Sequence, residues 1–305
     1  MNESKLTSEI RRLLKERNGL LLAHNYQNRD VQDIADMTGD SLGLAIEASE
    51  TEAEVIVFCG VHFMAESVAI LSPDKTVLLP RIDAGCPMAD MITKDEAVKF
   101  KESYPEAELV TYVNSTAEVK SVSDVCCTSA NAIRVVGSVR TDTVLMAPDK
   151  NLAQYTARFT DKEVIWWEGF CPTHQDLTPE ELLETKNRHP DAEILVHPEC
   201  RPEVIDIADY VASTSGMLAH AKKSVKMKFI IGTEIGLIHP LKKGSPEKEF
   251  IPASEKMICP DMKLTTLNDI YDCLVEMKGV VDVSEEIRAK AKISLDRMLQ
   301  VKRDE

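Results

Sequence analysis

Short β-branched apolar runs alternate with amphipathic stretches along the whole chain. The runs at residues 20–24, 55–59, 76–79, 109–113, 143–146, 163–167, 194–197, 228–231 and 249–251 predict strands. Residues 94–102, 179–188 and 267–278 carry apolar positions at helical spacing and lie between or after them. Within residues 1–19, Leu6, Ile10, Leu13 and Leu14 recur on one helical face amid charges, which predicts an amphipathic helix rather than a secretion signal. Residues 241–252, rich in Lys, Gly and Pro, predict a loop. Strand–helix alternation of this kind implies parallel sheets with helical crossovers, an α/β fold.

The pattern repeats three times, with a period of 85 to 88 residues. Each copy opens with a strand ending in a polar ring: His24, then Tyr112, then His197. Each goes on to an aspartate (Asp36, Asp124, Asp209), and five residues later to a hydroxyl that could open a helix: Ser41, Ser129 and Thr214. An apolar strand then runs into Gly60, Ala147 or Gly232. Each copy closes on a Cys-Pro pair, Cys86-Pro87, Cys171-Pro172 and Cys259-Pro260. A threonine six or seven residues further on, Thr93, Thr178 or Thr265, reads as a helix N-cap. With 8 Cys and 14 Pro in 305 residues, chance gives roughly 0.4 such dipeptides, so three in phase mark a true repeat. The architecture implied is three similar αβα domains, at 1–105, 106–190 and 191–305, around a pseudo-threefold axis with the active site at its centre.

A net charge of −15 argues against nucleic acid and against anionic membrane surfaces, both of which want a basic face. No apolar run approaches the roughly 20 residues of a membrane helix, and the expected location is the cytoplasm. Eight cysteines without a secretion signal favour metal binding or catalysis over disulfides. Three thiolates meeting at one axis suit either a three-ligand zinc ion or a [4Fe–4S] cluster with one iron left open. An all-cysteine triple favours the cluster, although His174, three residues after Cys171, could complete a zinc site. Cys59 and Cys273 read as core, Cys126-Cys127 as packing beneath the site, and Cys200 as a neighbour of it.

His24, Tyr26, Tyr112, Asn114, His197 and Glu199 fall at or just past the carboxyl ends of predicted parallel strands, the edge where α/β sheets bind ligands. Helix starts at Ser41, Ser129 and Thr214 would suit carboxylate or phosphate. Taken singly, each is as well explained as a cap or a hydrogen-bonded core group; three sets in phase with three cysteines point to function. His62, His189, His220 and His239 lack that phasing. Gly39 to Gly43 and Gly232 to Gly236 have the wrong spacing for a dinucleotide fingerprint, and no Walker A loop occurs.

Several segments resemble the quinolinate synthase (NadA) family: Ala23-His24-Asn25-Tyr26-Gln27, Gly39-Asp40-Ser41, Cys86-Pro87-Met88-Ala89, Tyr112-Val113-Asn114-Ser115, Gly169-Phe170-Cys171-Pro172-Thr173-His174, Val196-His197-Pro198-Glu199-Cys200 and Gly232-Thr233-Glu234-Ile235-Gly236. The likeness extends over nearly the whole chain. It implies condensation of iminoaspartate with dihydroxyacetone phosphate to quinolinate, for NAD biosynthesis, with loss of phosphate and water. It implies a [4Fe–4S] cluster on Cys86, Cys171 and Cys259. Substrate binding would fall to His24, Ser41, Tyr112, Asn114, Ser129, His197, Glu199 and Thr214, and catalysis to Tyr26, Glu199, His174 and Tyr112. An L-aspartate oxidase or aspartate dehydrogenase would act upstream. Some members carry a further cysteine near the third ligand; Cys259-Pro260-Asp261-Met262 has only one, so a redox switch on such a pair is not expected. The rival readings are a three-cysteine zinc hydrolase and a cluster-bearing redox sensor that catalyses nothing.

Overall fold

The computed structural model describes residues 3–304. Their strands are β1 (Gly19–His24), β2 (Met37–Gly39), β3 (Val55–Cys59), β4 (Thr76–Leu78), β5 (Glu108–Tyr112), β6 (Val125–Cys127), β7 (Thr143–Ala147), β8 (Glu163–Trp166), β9 (Glu193–Val196), β10 (Tyr210–Val211), β11 (Lys228–Gly232) and β12 (Glu249–Pro252). They build three parallel four-stranded sheets, ordered β2-β1-β3-β4, β6-β5-β7-β8 and β10-β9-β11-β12. The same order three times over gives three similar αβα units, as the repeat implies. All five residues of β3 are buried, as expected of a strand covered by helices on both faces.

The repeated aspartates have a structural job. Asp36, Asp124 and Asp209 each accept, through Oδ2, the backbone N–H of the residue fifteen positions earlier: Leu21 at 2.8 Å, Leu109 at 2.7 Å and Ile194 at 2.8 Å. Each aspartate amide donates back to the same residue's carbonyl, at 2.8 to 3.0 Å. The three clamps pin the short neighbouring strand (β2, β6 or β10) against the first strand of its unit. Those neighbours, only two or three residues long, are too short for any periodicity to reveal.

Thr93 and Thr178 cap helices Lys94–Glu102 and Pro179–Arg188. The third cap is Thr266, not Thr265: its side chain accepts from the Asp269 amide in a reciprocal box opening helix Leu267–Glu276. The shift restores the seven-residue spacing from cysteine to cap seen in the other two units, and it leaves the Thr265 hydroxyl buried without a partner among the described residues. Residues 241–252 are also more ordered than their composition implies. Helix Ile238–Gly244 precedes β12, with Pro240 in its first turn, where no N–H is needed, and Lys242 and Lys243 in its last turn.

The two last long helices pack away from the third sheet. Helix Leu267–Glu276 shares a core with helix Glu3–Glu16, through Leu6, Ile10, Leu13, Leu14, Ile270 and Leu274. Helix Glu285–Leu299 lies on β6 and on helices Ala117–Lys120 and His62–Leu71. Chain order therefore assigns these helices to the third unit, while packing assigns them to the first and second. Among the described residues no helix is long and apolar enough to cross a membrane.

Candidate active site

In each sheet the strand order reverses at the first strand of the unit, so a crevice opens at its carboxyl end. His24 ends β1, Tyr112 ends β5 and His197 follows β9; the three crevices merge into one cavity of about 680 Å³, counting its open mouth. All the residues singled out from the sequence line it: His24, Tyr26, Ser41, Cys86, Tyr112, Asn114, Ser129, Cys171, His174, His197, Glu199, Thr214 and Cys259. The five other cysteines are fully buried and do not line it.

The three cavity thiols come one from each unit, and none is in a disulfide. Burial pushes all three upward, Cys86 to about 12; charge on Cys259 adds to the effect at Cys86, and charge on Glu199 and Cys86 adds to it at Cys171. Such thiols give up their protons to a bound cation rather than to water. The compact metal-capable group among the described residues is Cys171, His174 and Glu199, with donor atoms within 4.8 Å of one another. Cys86 and Cys259 stand outside it, whereas a single zinc ion with bonds of about 2.3 Å would draw its sulfurs close together. Three soft donors spread around one cavity fit a cluster better than one ion.

A chain of hydrogen bonds crosses the cavity wall from unit to unit. The His174 Nδ1 faces Glu199 Oε2 at 2.7 Å and also lies 3.1 Å from the Cys171 sulfur. Facing a carboxylate, Nδ1 carries a proton, so in the neutral ring Nε2 accepts from the Thr233 hydroxyl at 2.8 Å. Thr233 in turn accepts from the Tyr26 phenol at 2.5 Å. On the far side, Tyr112 donates to Glu199 Oε1 at 2.6 Å. Burial opposes the charge on Glu199, but His174, His197 and the donated hydrogen bonds outweigh it and hold this carboxyl at about 2. Burial first, and Glu199 second, raise both phenols well above their ordinary range.

His24 and His197 share one local turn. Each Nδ1 accepts the amide two residues on, from Tyr26 at 3.2 Å and from Glu199 at 3.4 Å, which leaves the ring proton on Nε2. Burial lowers them to about 4 and about 3, so both are neutral donors near pH 7. His197 Nε2 reaches Ser129 Oγ at 3.1 Å. Ser41 and Thr214 open helices Ser41–Glu50 and Thr214–Lys223 as expected. Ser129 does not: its helix, Ala132–Ser138, begins three residues later, because Asn131 Oδ1 turns back onto the Thr128 amide and hydroxyl and closes a tight turn first. The Asn114 side-chain oxygen is buried at the cavity with no hydrogen-bond partner among the described residues.

The family model "Quinolinate synthetase A protein" matches residues 8–300. The chain is 57% identical to the quinolinate synthase of Geobacter sp. (strain M21) over the full length of both. It is 53% identical to quinolinate synthase 1 of Methanosarcina acetivorans, and 52% to the quinolinate synthase of Thermodesulfovibrio yellowstonii, each over at least 97% of both chains. The chain belongs to the quinolinate synthetase A family. It is accordingly an enzyme of the quinolinate synthase type, serving NAD biosynthesis.

Three groups in or beside this quinolinate synthetase site are not marked by the repeat. Thr233 is the hydroxyl between Tyr26 and His174, and it sits one residue after the Gly232 that the repeat marks. Asp149, two residues after Ala147, is buried, and burial and then the Glu199 charge raise its carboxyl well above the ordinary range. Asp40 lines the cavity beside Ser41. None of the three has a counterpart of the same type in all units, so the repeat does not mark them.

Proposed function

We propose that the enzyme condenses iminoaspartate with dihydroxyacetone phosphate to quinolinate, releasing phosphate and water, and that Cys86, Cys171 and Cys259 hold a [4Fe–4S] cluster for it. The convergence of three partly buried thiols, one per unit, on a cavity walled by neutral donors carries this reading. When bound, the cluster supplies a Lewis-acidic iron without a protein ligand, able to polarise a hydroxyl or carboxylate and so ease dehydration.

The chain's own residues bind, orient and move protons. His24 and His197, each presenting an Nε2–H, together with Ser41, Ser129, Thr214 and Asn114, bind carboxylate and phosphate oxygens through neutral dipoles. Glu199 accepts a proton from the condensing carbon skeleton. Tyr112 orients that carboxylate, and His174 passes protons between Glu199 and Thr233, with Tyr26 as the terminal donor. Substrates are small molecules; an enzyme that oxidises aspartate, an L-aspartate oxidase or an aspartate dehydrogenase, supplies the imine. The acidic surface suits a cytoplasmic protein that binds neither nucleic acid nor membrane.

Anaerobic reconstitution with iron and sulfide tests this. The expected result is about four irons and four sulfides per chain, a broad visible absorption, and quinolinate formation. Cys86→Ala should lose both the cluster and the activity. Zinc alone in the wild type, or normal turnover by Cys86→Ala, would sink the reading and favour a single ion on Cys171, His174 and Glu199.

A further inference from the structure

After helix Glu285–Leu299 the chain turns across the rim of the cavity and engages both anion-facing elements there. Arg303 forks onto Asp40, with Nη1 at 2.6 Å from Oδ2 and Nη2 at 2.9 Å from Oδ1. Asp40 is buried, lines the cavity next to Ser41, and through Oδ1 accepts the Gly43 amide at 2.8 Å, capping the helix that Ser41 begins. Ser215, from the third unit, also hydrogen-bonds Asp40. Asp304 accepts the Ile133 and Arg134 amides at 3.1 and 2.9 Å, and its own amide donates to the Ala130 carbonyl at 2.7 Å, directly after Ser129.

The charges explain why this matters. Among the described residues no Lys or Arg lines the cavity, although three carboxylates do: Asp40, Glu199 and Glu234. Glu199 meets His174, and Glu234 meets Lys263 at 3.0 Å from outside the cavity. Asp40 meets Arg303 in the same manner. An unmatched carboxylate at Asp40 would repel an anion seated on Ser41. At about 5 Å, even with effective screening, such repulsion is on the order of tenfold or more in affinity.

We propose that Arg303 is a positioning residue of the reaction: it matches the charge of Asp40 and holds it on the helix cap, so that the Ser41 end of the cavity accepts an anionic group, while Asp304 fixes the Ser129 turn. The inference rests on the proposed function only in taking the ligand to be anionic.

Calorimetric titration of the reconstituted enzyme with inorganic phosphate tests it, using wild type, Arg303→Ala, Arg303→Lys and Asp40→Asn/Arg303→Ala. Arg303→Ala should weaken phosphate binding on the order of tenfold. The double variant should recover most of the loss, because asparagine keeps the cap and removes the charge. Arg303→Lys, which keeps the charge but loses the two-pronged fork, should fall between wild type and Arg303→Ala, and it serves as the folded reference if the alanine variant loses its circular dichroism. In turnover, Arg303→Ala should raise KM for the phosphate-bearing substrate more than it lowers kcat. Equal phosphate affinity in wild type and Arg303→Ala would overturn the proposal, as would a double variant no better than the single. The expected phosphate pattern without any quinolinate formed would refute the proposed reaction and leave the role of Arg303 standing.

Discussion

The two ends of the first strand in each unit have opposite histories. At the amino end the units are alike: Asp36, Asp124 and Asp209 make the same clamp at nearly the same distance. At the carboxyl end they differ: His24, Tyr112 and His197 occupy one equivalent position, and Tyr26, Asn114 and Glu199 another. The clamp is a private need of each unit, so each keeps the same residue. The cavity is shared, and a shared site has no use for three copies of one acid or base. The cysteines show the rule from its other side, since they lie in the cavity yet stay identical, as the ligand set proposed for the cluster would require.

The largest test of this contrast is Glu199→Gln, which should cut quinolinate turnover by roughly 10²–10⁴ while leaving substrate affinity nearly intact, as steady-state kinetics would show. Unchanged turnover would remove Glu199 from the chemistry and leave the carboxyl end without its central base. At the amino end, alanine at Asp36, Asp124 or Asp209 should each lower stability by about 1–3 kcal/mol in denaturant titrations, by leaving a strand amide unpaired, with kcat unaltered. Strongly unequal losses among the three would break the equivalence of the clamps. The smallest effect separates two neighbours. Thr266→Ala should cost about 1 kcal/mol as a lost cap. Thr265→Val, removing a buried hydroxyl with no partner among the described residues, should be neutral or slightly stabilising. The reverse order would restore Thr265 as the cap.

Much of this was legible in the chain because repetition amplifies weak signals. One histidine after one apolar run means little, but a polar ring, an aspartate and a Cys-Pro pair recurring in phase locate three sheets and the edge where they meet. What stayed hidden lacked that amplification. The strands β2, β6 and β10 are too short to show alternation and exist because the aspartate clamps hold them. Thr233 and the Asp40–Arg303 pair join residues 59 and 263 positions from their partners, and such separations leave no local trace. Ser129 kept its phase yet lost its helix start, because one asparagine side chain reshaped the turn.

The links from Tyr26 through Thr233, His174 and Glu199 to Tyr112 each pass between different units, at 2.5 to 2.8 Å. Hydrogen bonds of that length are spent by about 3.5 Å. A slide of one unit by about 1 Å therefore opens several links together and leaves each unit's own fold untouched. On the proton-carrying roles proposed above, turnover would be geared to how the three bodies are seated, and a substitution buried between two of them, far from any reacting atom, would disengage the chemistry like a clutch.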